Sequence, residues 1–371
     1  MIRLGETRGR DNNFDLIRVI AAFSVLFAHS RALSGAAPVL PKDALGVFDA
    51  GTVAVDVFFF TSGFLVTGSL FGRGNVFEYV WARAMRIFPA LWVMLLVTVT
   101  TLGLFVGALP VTEFFRSPIT GDYVLHCATL VNGVRYLLPG LFEGNPLTAG
   151  VNGSLWTLPI EWRLYEYLAA GWVLFAFRPA WRGGAFRFGT AAAALVLMAL
   201  VLRTFFVQHA REAALVPTFM FFYGAALQMW RARINLSYVC LVALTVALAA
   251  SSLSSTIFLP VYLATLGPLV LHAAYLFAGP VRAYNRVGDY SYGVYIYAFP
   301  IQQTLIALVP GLSLLLLNIY AAALTLSCAV LSWHFLEKPA LDRKLAPAAA
   351  TERLFERLRD ALSDWRRRRT A

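Results

Sequence analysis

The chain has 371 residues, of which 59% are hydrophobic and 14% charged, and its mean hydropathy is +0.67. A soluble domain is roughly half apolar and a quarter charged, so the composition excludes an ordinary soluble protein and indicates a polytopic membrane protein. The net charge of +11 does not indicate nucleic-acid binding, because the basic residues lie in short loops and in a C-terminal tail. The three isolated cysteines predict neither a disulfide framework nor a metal site.

Ten apolar runs approach the ~20 residues that an α-helix needs to cross a bilayer. The sequence therefore predicts an all-α fold, a bundle of about ten transmembrane helices. The first run is too long to be the core of a cleavable signal peptide, so we expect it to remain as a span. The predicted spans cover residues 14–34, 51–71, 87–107, 157–177, 190–208, 213–230, 235–253, 256–278, 290–309 and 313–335.

The distribution of lysine and arginine predicts the orientation. The loops on the side of the termini hold twenty-three of these residues and the opposite loops hold four, so both termini are predicted to be cytoplasmic. We assign residues 1–337 to a transmembrane domain and residues 338–371 to a cytoplasmic basic amphipathic tail, which we expect to lie on the anionic membrane surface.

The first span carries two ionisable side chains, Arg18 and His29. Eleven helical residues correspond to about 20° of net rotation and about 16 Å of rise, so both side chains leave one face of the helix. Ionisable groups inside a span indicate function. The alternative is an arginine that extends to the interface and a histidine that hydrogen-bonds a neighbouring helix.

Two carboxylates are predicted near the outer end of the bundle, at the depth of His29. Asp56 lies in the first turns of the second span and Glu161 in those of the fourth. We expect the three side chains to converge on one pocket, where a carboxylate would orient the imidazole as a general base. The same set also suits a cation or proton path in a transporter, and depth alone does not separate the two.

A second polar set is predicted at the cytoplasmic end. Arg83 and Arg86 are three residues apart and share a helix face, and together with Arg18 they would form a clamp for phosphates. Arginines at this end of a span are also ordinary topology signals. A ligand with a polyanionic head and a long thin arm that reaches His29 would use the whole face, and acyl-coenzyme A has that shape.

The external connection, about residues 108–156, is long for a compact membrane domain, and such loops are usually functional. Its apolar stretch Tyr123–Val131 is expected to dip into the membrane. At its end and in the following span, we assign Asn152, Trp156 and Tyr165 to substrate binding.

These segments, taken in order, resemble the acyltransferase-3 family of bacterial integral membrane acyltransferases, which O-acylate cell-surface polysaccharides and other sugar-bearing acceptors. The resemblance runs nearly from end to end. It rests on Phe14-Asp-Leu-Ile-Arg18 with His29, Val55-Asp-Val-Phe-Phe-Phe-Thr-Ser-Gly-Phe64, Arg83-Ala-Met-Arg86-Ile-Phe-Pro, Leu155-Trp-Thr-Leu-Pro-Ile-Glu161, Gly288-Asp-Tyr-Ser-Tyr and Glu337-Lys-Pro339.

The resemblance implies roles for individual residues. The first-helix histidine of the family is the residue most closely tied to catalysis, and it matches His29. The family's first-helix arginine matches Arg18, and its R-x-x-R pair matches Arg83 and Arg86; both are associated with handling the acyl donor.

Asp56 and Glu161 match other characteristic acidic positions of the family. Many members follow the second of these with another glutamate and a glutamine, where this chain has Trp162 and Arg163. The surrounding Asn-Gly-Ser-Leu-Trp-Thr-Leu-Pro sequence is similar to the polysaccharide and Nod-factor acetylase branch.

The sequence thus predicts an O-acyltransferase of the bacterial inner membrane with its catalytic pocket toward the periplasm. It would move an acyl group from a cytoplasmic acyl-CoA to a sugar hydroxyl of a cell-surface polysaccharide or lipid-linked oligosaccharide. The expected acyl group is acetyl and the expected donor is acetyl-CoA, with another acyl-CoA as the alternative. The expected partners are acyl-CoA, the glycan acceptor, membrane lipids and a polysaccharide assembly complex, with no nucleic acid and no metal.

Three alternatives remain open at this point. The first is a transporter or channel for a sugar conjugate or acyl carrier. The second is an acyltransferase that acts on a glycosylated small molecule. The third is a non-catalytic scaffold in a polysaccharide assembly complex, which does not account for a cation and an imidazole on one buried face.

Overall fold

The computed structural model of the protein describes residues 1–7, 11–36, 49–147, 150–208 and 212–370. Within these ranges the fold is all-α, as predicted, with one short antiparallel pairing of β1 (Ile2–Arg3) and β2 (Asn235–Leu236). The helices are α1 (Phe14–Leu33), α2 (Ala50–Arg73), α3 (Val76–Phe105), α4 (Val111–Arg116), α5 (Pro118–Thr129), α6 (Thr157–Leu174), α7 (Pro179–Val207), α8 (Leu215–Met229), α9 (Tyr238–Ser251), α10 (Ser255–Tyr275), α11 (Ser291–Leu308), α12 (Leu314–Ser332), α13 (Lys338–Asp342) and α14 (Leu345–Thr370).

Each of the ten predicted spans coincides with a helix, in order α1, α2, α3 and α6 to α12. In the described part of the chain, six helical runs are long and apolar enough to cross a membrane: α1, α2, α3, α7, α10 and the run that begins at Leu314. Helices α8 and α9 are apolar but shorter. The number of membrane crossings and the side on which the termini lie stay predictions. Four of the basic residues used to predict the orientation lie outside the described residues: Arg8, Arg10, Lys42 and Arg211.

Two helices begin well before the membrane spans that were predicted for them. Helix α3 starts at Val76, where the Asn75 side chain accepts hydrogen bonds from two backbone N–H groups of the first turn. Helix α7 starts at Pro179, and its Arg182 guanidinium lies 4.0 Å from the ring centroid of Trp172. Hydropathy falls at arginines while the helical backbone continues through them, so the apolar runs underestimate both helices.

Helices α2 and α8 approach each other closely through glycines. A Cβ atom on Gly63 would lie 1.9 Å from the carbonyl oxygen of Phe221, and one on Gly224 would lie 2.2 Å from the carbonyl oxygen of Phe60. Small residues allow this kind of backbone contact between membrane helices. The contact also sets the rotation of α2 and therefore which of its side chains face the interior of the bundle.

We expect Gly63→Ala to destabilise the protein by about 1–3 kcal/mol, because the added methyl group forces two backbones apart. Gly72→Ala is the matched control near the end of the same helix, since no described atom of another helix lies within 4 Å of the position that its added methyl group would take. The measurement is thermal unfolding of both purified variants in detergent. Equal unfolding temperatures for the two variants would contradict the close packing of α2 and α8.

The connection between α3 and α6 is anchored to the bundle. The predicted apolar stretch Tyr123–Val131 falls mostly in α5. Trp92 of α3 donates its indole N–H to the carbonyl oxygen of Ala128 at 2.9 Å. The amide of Asn145 donates to the backbone and side-chain oxygens of Gln303 in α11, at 3.0 and 2.7 Å. The position of this stretch relative to the membrane stays a prediction.

An exposed polar cluster lies on the same connection. Arg135 donates its Nε–H to Asp122 at 2.6 Å, and His126 Nδ1 lies 2.9 Å from the other oxygen of that carboxylate. The hydrogen bond from Arg135 holds the pKa of Asp122 below its usual range. The cluster belongs to the surface of the connection and does not line the cleft described below.

The C-terminal tail packs against the start of α3. Trp81 donates its indole N–H to the Thr351 hydroxyl at 3.0 Å, and Asn75 donates to the Glu352 carboxylate at 3.1 Å. The predicted tail helix is present as α14. Its placement on a membrane surface and the boundary at residue 338 stay predictions.

Candidate active site

Helix α1 presents Arg18 and His29 toward the same neighbour, α11. Arg18 donates to Asp289, two residues before α11 begins, at 2.5 Å. The ring of His29 packs edge-on against Phe299 of α11 with 5.1 Å between centroids. Phe299 is ten residues after Asp289, and nine of these ten residues are in α11, so the rise between them is close to the rise of about 16 Å between Arg18 and His29. The predicted common face is therefore present.

Asp289 joins two of the predicted arginines. Its Oδ2 atom accepts hydrogen bonds from Arg18 and Arg86, each at 2.5 Å. The hydroxyl and the backbone N–H of Ser291 both donate to the other carboxylate oxygen. All four side chains are largely buried, and buried charges persist only where they are paired and hydrogen-bonded.

Glu337 completes this ion-pair network. The end of α12 continues as one π-helical turn, Trp333–Glu337, which directs the Glu337 carboxylate to 3.1 Å from Arg86. The Ser332 hydroxyl donates to the other Glu337 oxygen at 2.9 Å, and the rings of Tyr292 and Trp333 lie against the Arg86 guanidinium. Asp289 and Glu337 were assigned no role from the sequence, although both stand in segments that carry the family resemblance.

Arg83 differs from the other two arginines. Its guanidinium lies 6.0 Å from the ring centroid of Tyr165. Among the described residues, its Nε–H has no hydrogen-bond partner and no carboxylate lies within salt-bridge distance. Arg18 and Arg86 are held by Asp289 and Glu337, which leaves Arg83 as the arginine of this set that can pair with a ligand.

The three arginines line one cleft between α1, α2, α3, α6 and α11. Several polar groups converge on this cleft, which is typical of a small-molecule site. Its polar lining also includes Ser62, Thr157, Glu161, Tyr165, Ser291, Tyr292 and Tyr295.

Glu161 lies in this cleft with two hydroxyl groups. Ser62 of α2 donates to Glu161 Oε1 at 3.1 Å and lies 2.9 Å from the Tyr165 hydroxyl. Tyr165, one helical turn after Glu161, donates to the same carboxylate oxygen. The predicted substrate-binding residue Tyr165 is therefore a cleft residue, and Ser62 is one that the sequence analysis missed.

Asp56 lies elsewhere, which corrects the predicted convergence of His29, Asp56 and Glu161. The Asp56 side chain is fully buried and accepts a hydrogen bond from Tyr262 of α10 at 2.6 Å. Six residues separate Asp56 from Ser62, the partner of Glu161. That is about 240° around α2 and roughly 9 Å along it, so the two carboxylates face different neighbours at different depths.

His29 lies beyond the cleft, next to the turn that precedes α6. Its Nδ1 atom is 3.4 Å from the Ser154 hydroxyl. Tyr295 donates to the backbone oxygen of Ser154 at 2.7 Å, and its hydroxyl is 2.8 Å from that of Thr157. Since Tyr295 and Thr157 line the cleft, this turn is the structural link between the cleft and the imidazole.

The other two predicted substrate-binding residues shape this turn. The fully buried Asn152 donates to the Ile296 carbonyl at 2.8 Å and accepts from the Ser154 backbone N–H. Both ends of its amide are thus used within the protein, and Asn152 fixes the turn that carries Ser154. Trp156 is half-buried and packs against the core. Direct substrate contact by Asn152 and Trp156 stays a prediction.

Within the described ranges, no group of three or more His, Cys, Asp or Glu side chains could hold a metal ion. The arrangement combines a cleft lined by three arginines, a hydrogen-bonded carboxylate with hydroxyl groups, and an imidazole at the far end of one face. These are the groups of acyl-transfer chemistry, in which an oxygen nucleophile attacks a carbonyl carbon.

Comparison with known proteins agrees with this chemistry. The model of the acyltransferase-3 family, described as an acyltransferase domain, matches residues 11–335. The chain belongs to this family of acyltransferases, and its long apolar helices make it a membrane protein.

Two curated relatives are similar over nearly their whole length. The O-acetyl transferase of Shigella phage Sf6 is 31% identical over 358 residues, which cover 90% of this chain and 97% of the relative. Nodulation protein 10 of Rhizobium leguminosarum bv. viciae is 30% identical over 365 residues, 93% of this chain and 97% of the relative. No solved structure gives a significant match.

Proposed function

We propose that this acyltransferase moves an acetyl group from cytoplasmic acetyl-CoA to a sugar hydroxyl of a cell-surface polysaccharide or lipid-linked oligosaccharide. Its place is the bacterial inner membrane, with both termini in the cytoplasm and His29 toward the periplasm. Membership of the family and the name of the phage relative support O-acetyl transfer. The basic residues of the loops near the termini support the orientation.

The observation that carries the proposal is the convergence of Arg18, Arg83 and Arg86 on one cleft. Asp289 and Glu337 hold two of the guanidinium groups in place, while Arg83 forms no salt bridge with any described residue. A phosphate is a favourable ligand there, because the attraction between a guanidinium and a phosphate is stronger in a partly buried site than in water. The diphosphate of acetyl-CoA suits this charge.

The pantetheine arm of the donor would run along the common face of α1. The rise of about 16 Å between Arg18 and His29 sets the distance that the arm must bridge. On this route the arm would pass the rings of Phe58 and Tyr295, which line the cleft and contact each other with 5.8 Å between centroids.

His29 would perform the transfer in one of two ways. It removes the proton of the sugar hydroxyl, which then attacks the thioester carbonyl and releases coenzyme A as the thiol. Alternatively, the imidazole takes the acetyl group first and passes it to the hydroxyl. Ser154, through its contact with Nδ1, orients the ring in both cases. The connection between α3 and α6 would bind the glycan.

The test is release of free thiol from radiolabelled acetyl-CoA by purified protein in detergent, with water as the acceptor. We expect slow turnover by the wild type and a KM for acetyl-CoA that is about 10- to 100-fold higher in Arg83→Gln. A hydrogen bond to a charged group contributes about 1.5–3 kcal/mol, and each 1.4 kcal/mol corresponds to about tenfold in binding.

Arg163→Gln is the matched control, because Arg163 is exposed on α6 and does not line the cleft. Its KM should equal that of the wild type. Absence of thiol release, together with absence of thermal protection by acetyl-CoA, would overturn the assignment of the donor. An unchanged KM in Arg83→Gln would overturn the role of the arginine cleft.

A further inference from the structure

A second cavity lies beside the arginine cleft. Its volume is about 340 Å³, within the range of small-molecule sites. It lies between the N-terminal segment, α2, the end of α8 and α10. Its walls carry a guanidinium, two carboxamides, two hydroxyls and three apolar positions: Arg231, Asn12, Gln228, Thr7, Tyr275, Phe64, Leu65 and Gly68.

The two cavities share a wall. Leu65 of α2 lines both of them. The cleft takes its α2 lining from Val55 to Val66, and the second cavity takes its own from Phe64 to Gly68. The second cavity therefore continues the cleft along α2, away from His29.

Arg231 gives this cavity a positive charge. Its Nη2 donates to the backbone oxygens of Leu4 and Thr7, at 3.0 and 2.8 Å, and to the Thr7 hydroxyl at 3.0 Å. These partners are neutral. In the described part of the chain, its buried Nε–H has no hydrogen-bond partner and no carboxylate forms a salt bridge with it.

Arg282 on the neighbouring segment shows the contrast. It also donates to backbone oxygens, those of Tyr275 and Phe277, but it forms a salt bridge with Asp11. The charge of Arg282 is balanced and that of Arg231 is not. A guanidinium with uncompensated charge at the wall of a polar cavity favours a phosphate group as its ligand.

We propose that this cavity binds the nucleotide end of the acyl-CoA donor, with Arg231 contacting a phosphate of the nucleotide. This inference rests on the proposed function. The donor would pass Leu65 into the arginine cleft, where the diphosphate meets Arg18, Arg83 and Arg86, and the pantetheine arm would extend from there toward His29. The donor thereby lies in three successive regions: adenosine and its 3′-phosphate at Arg231, diphosphate in the cleft and thioester at the imidazole. Gln228 and Asn12 supply neutral donors and acceptors for the base and ribose.

The experiment compares three thioesters that differ only at the nucleotide end: acetyl-CoA, acetyl-dephospho-CoA and S-acetylpantetheine. We expect Arg231→Gln to raise the KM for acetyl-CoA at least tenfold, to leave the KM for S-acetylpantetheine unchanged and to leave kcat unchanged for both. If the effect disappears with acetyl-dephospho-CoA, the contact is to the 3′-phosphate. If it persists there, Arg231 contacts the diphosphate: this cavity still binds the nucleotide end, but the placement of the diphosphate at the arginine cleft is then overturned.

Arg282→Gln is the matched control, since the same change is made at a balanced arginine outside the cavity, and its KM values should equal those of the wild type. Gly68→Leu tests the cavity without touching Arg231. A Cβ at Gly68 meets the flexible end of Gln228 at 2.7 Å, so the larger side chain fills the cavity at little cost to packing. This variant should also raise the KM for acetyl-CoA alone.

Two results would overturn the inference while leaving the proposed function intact. One is an equal change of KM for all three thioesters in Arg231→Gln. The other is normal KM values for acetyl-CoA in both Arg231→Gln and Gly68→Leu. If Arg231→Gln does not fold, because Arg231 also holds the N-terminal segment, Gly68→Leu decides alone. Failure of the wild type to release thiol from any thioester overturns the proposed function and this inference together.

Discussion

His29→Ala lowers thiol release from acetyl-CoA by about 10²- to 10⁴-fold, the contribution usual for a positioned general base. The imidazole is the group of α1 that reaches the turn carrying Ser154, and Arg18 on the same face lies about three helical turns away. Folding should be intact, because the ring is only half-buried and its contacts with Ser154 and Phe299 are neutral. The measurement is radiolabelled turnover, with thermal unfolding to verify the fold.

His126→Ala is the control for this prediction. His126 lies on α5 beside Asp122 and Arg135 and does not line the cleft, so its loss should leave turnover unchanged. Near-normal turnover by His29→Ala would refute the assignment of the catalytic residue. Label that stays on wild-type protein but not on His29→Ala would identify the acyl-histidine route, whereas turnover without retained label would favour direct transfer.

Asp289→Ala should produce the largest loss of stability. The substitution removes the carboxylate that pairs with Arg18 and Arg86 and leaves two largely buried guanidinium groups with Glu337 alone. Removal of one partner of a buried ion pair costs about 3–5 kcal/mol. We expect a markedly lower unfolding temperature in detergent, and loss of the thermal protection that acetyl-CoA gives, because Arg86 no longer holds its place at the cleft.

Asp122→Ala provides the comparison. It removes an acidic partner of an arginine in the same way, but Asp122 and Arg135 are exposed, and exposed ion pairs contribute little to stability. Its unfolding temperature should stay near that of the wild type. If the two aspartate variants unfold at the same temperature, the network around Asp289 does not stabilise the bundle.

The sequence supported the prediction of individual helices better than that of their partners. The all-α class, a helix at each predicted span and the common face of Arg18 and His29 follow from hydropathy and the 3.6-residue period, which are local properties. Family membership was also correctly predicted, from short segments in order along the chain. Helices α3 and α7 extend beyond the start of their predicted spans, because the hydropathy falls at their arginines while the helix continues.

The site was predicted in part. The convergence of Arg18, Arg83 and Arg86 follows from their common end of the bundle. The grouping of Asp56 with His29 and Glu161 rested on their predicted depth in the membrane alone. Depth does not show how α2 is rotated about its own axis. The close glycine contact between α2 and α8 sets that rotation, and it brings Ser62 rather than Asp56 to Glu161.

By itself, the sequence determined that this is a membrane acyltransferase of helices in a known order, with a cation and an imidazole on one face. Only the tertiary structure decided how the charges pair. Arg18 meets Asp289 across 271 residues, and Arg86 meets Glu337 across 251. Such pairs depend on how helices pack and rotate against one another. Packing depends on side-chain fit over the whole bundle, and no local period in the sequence records it.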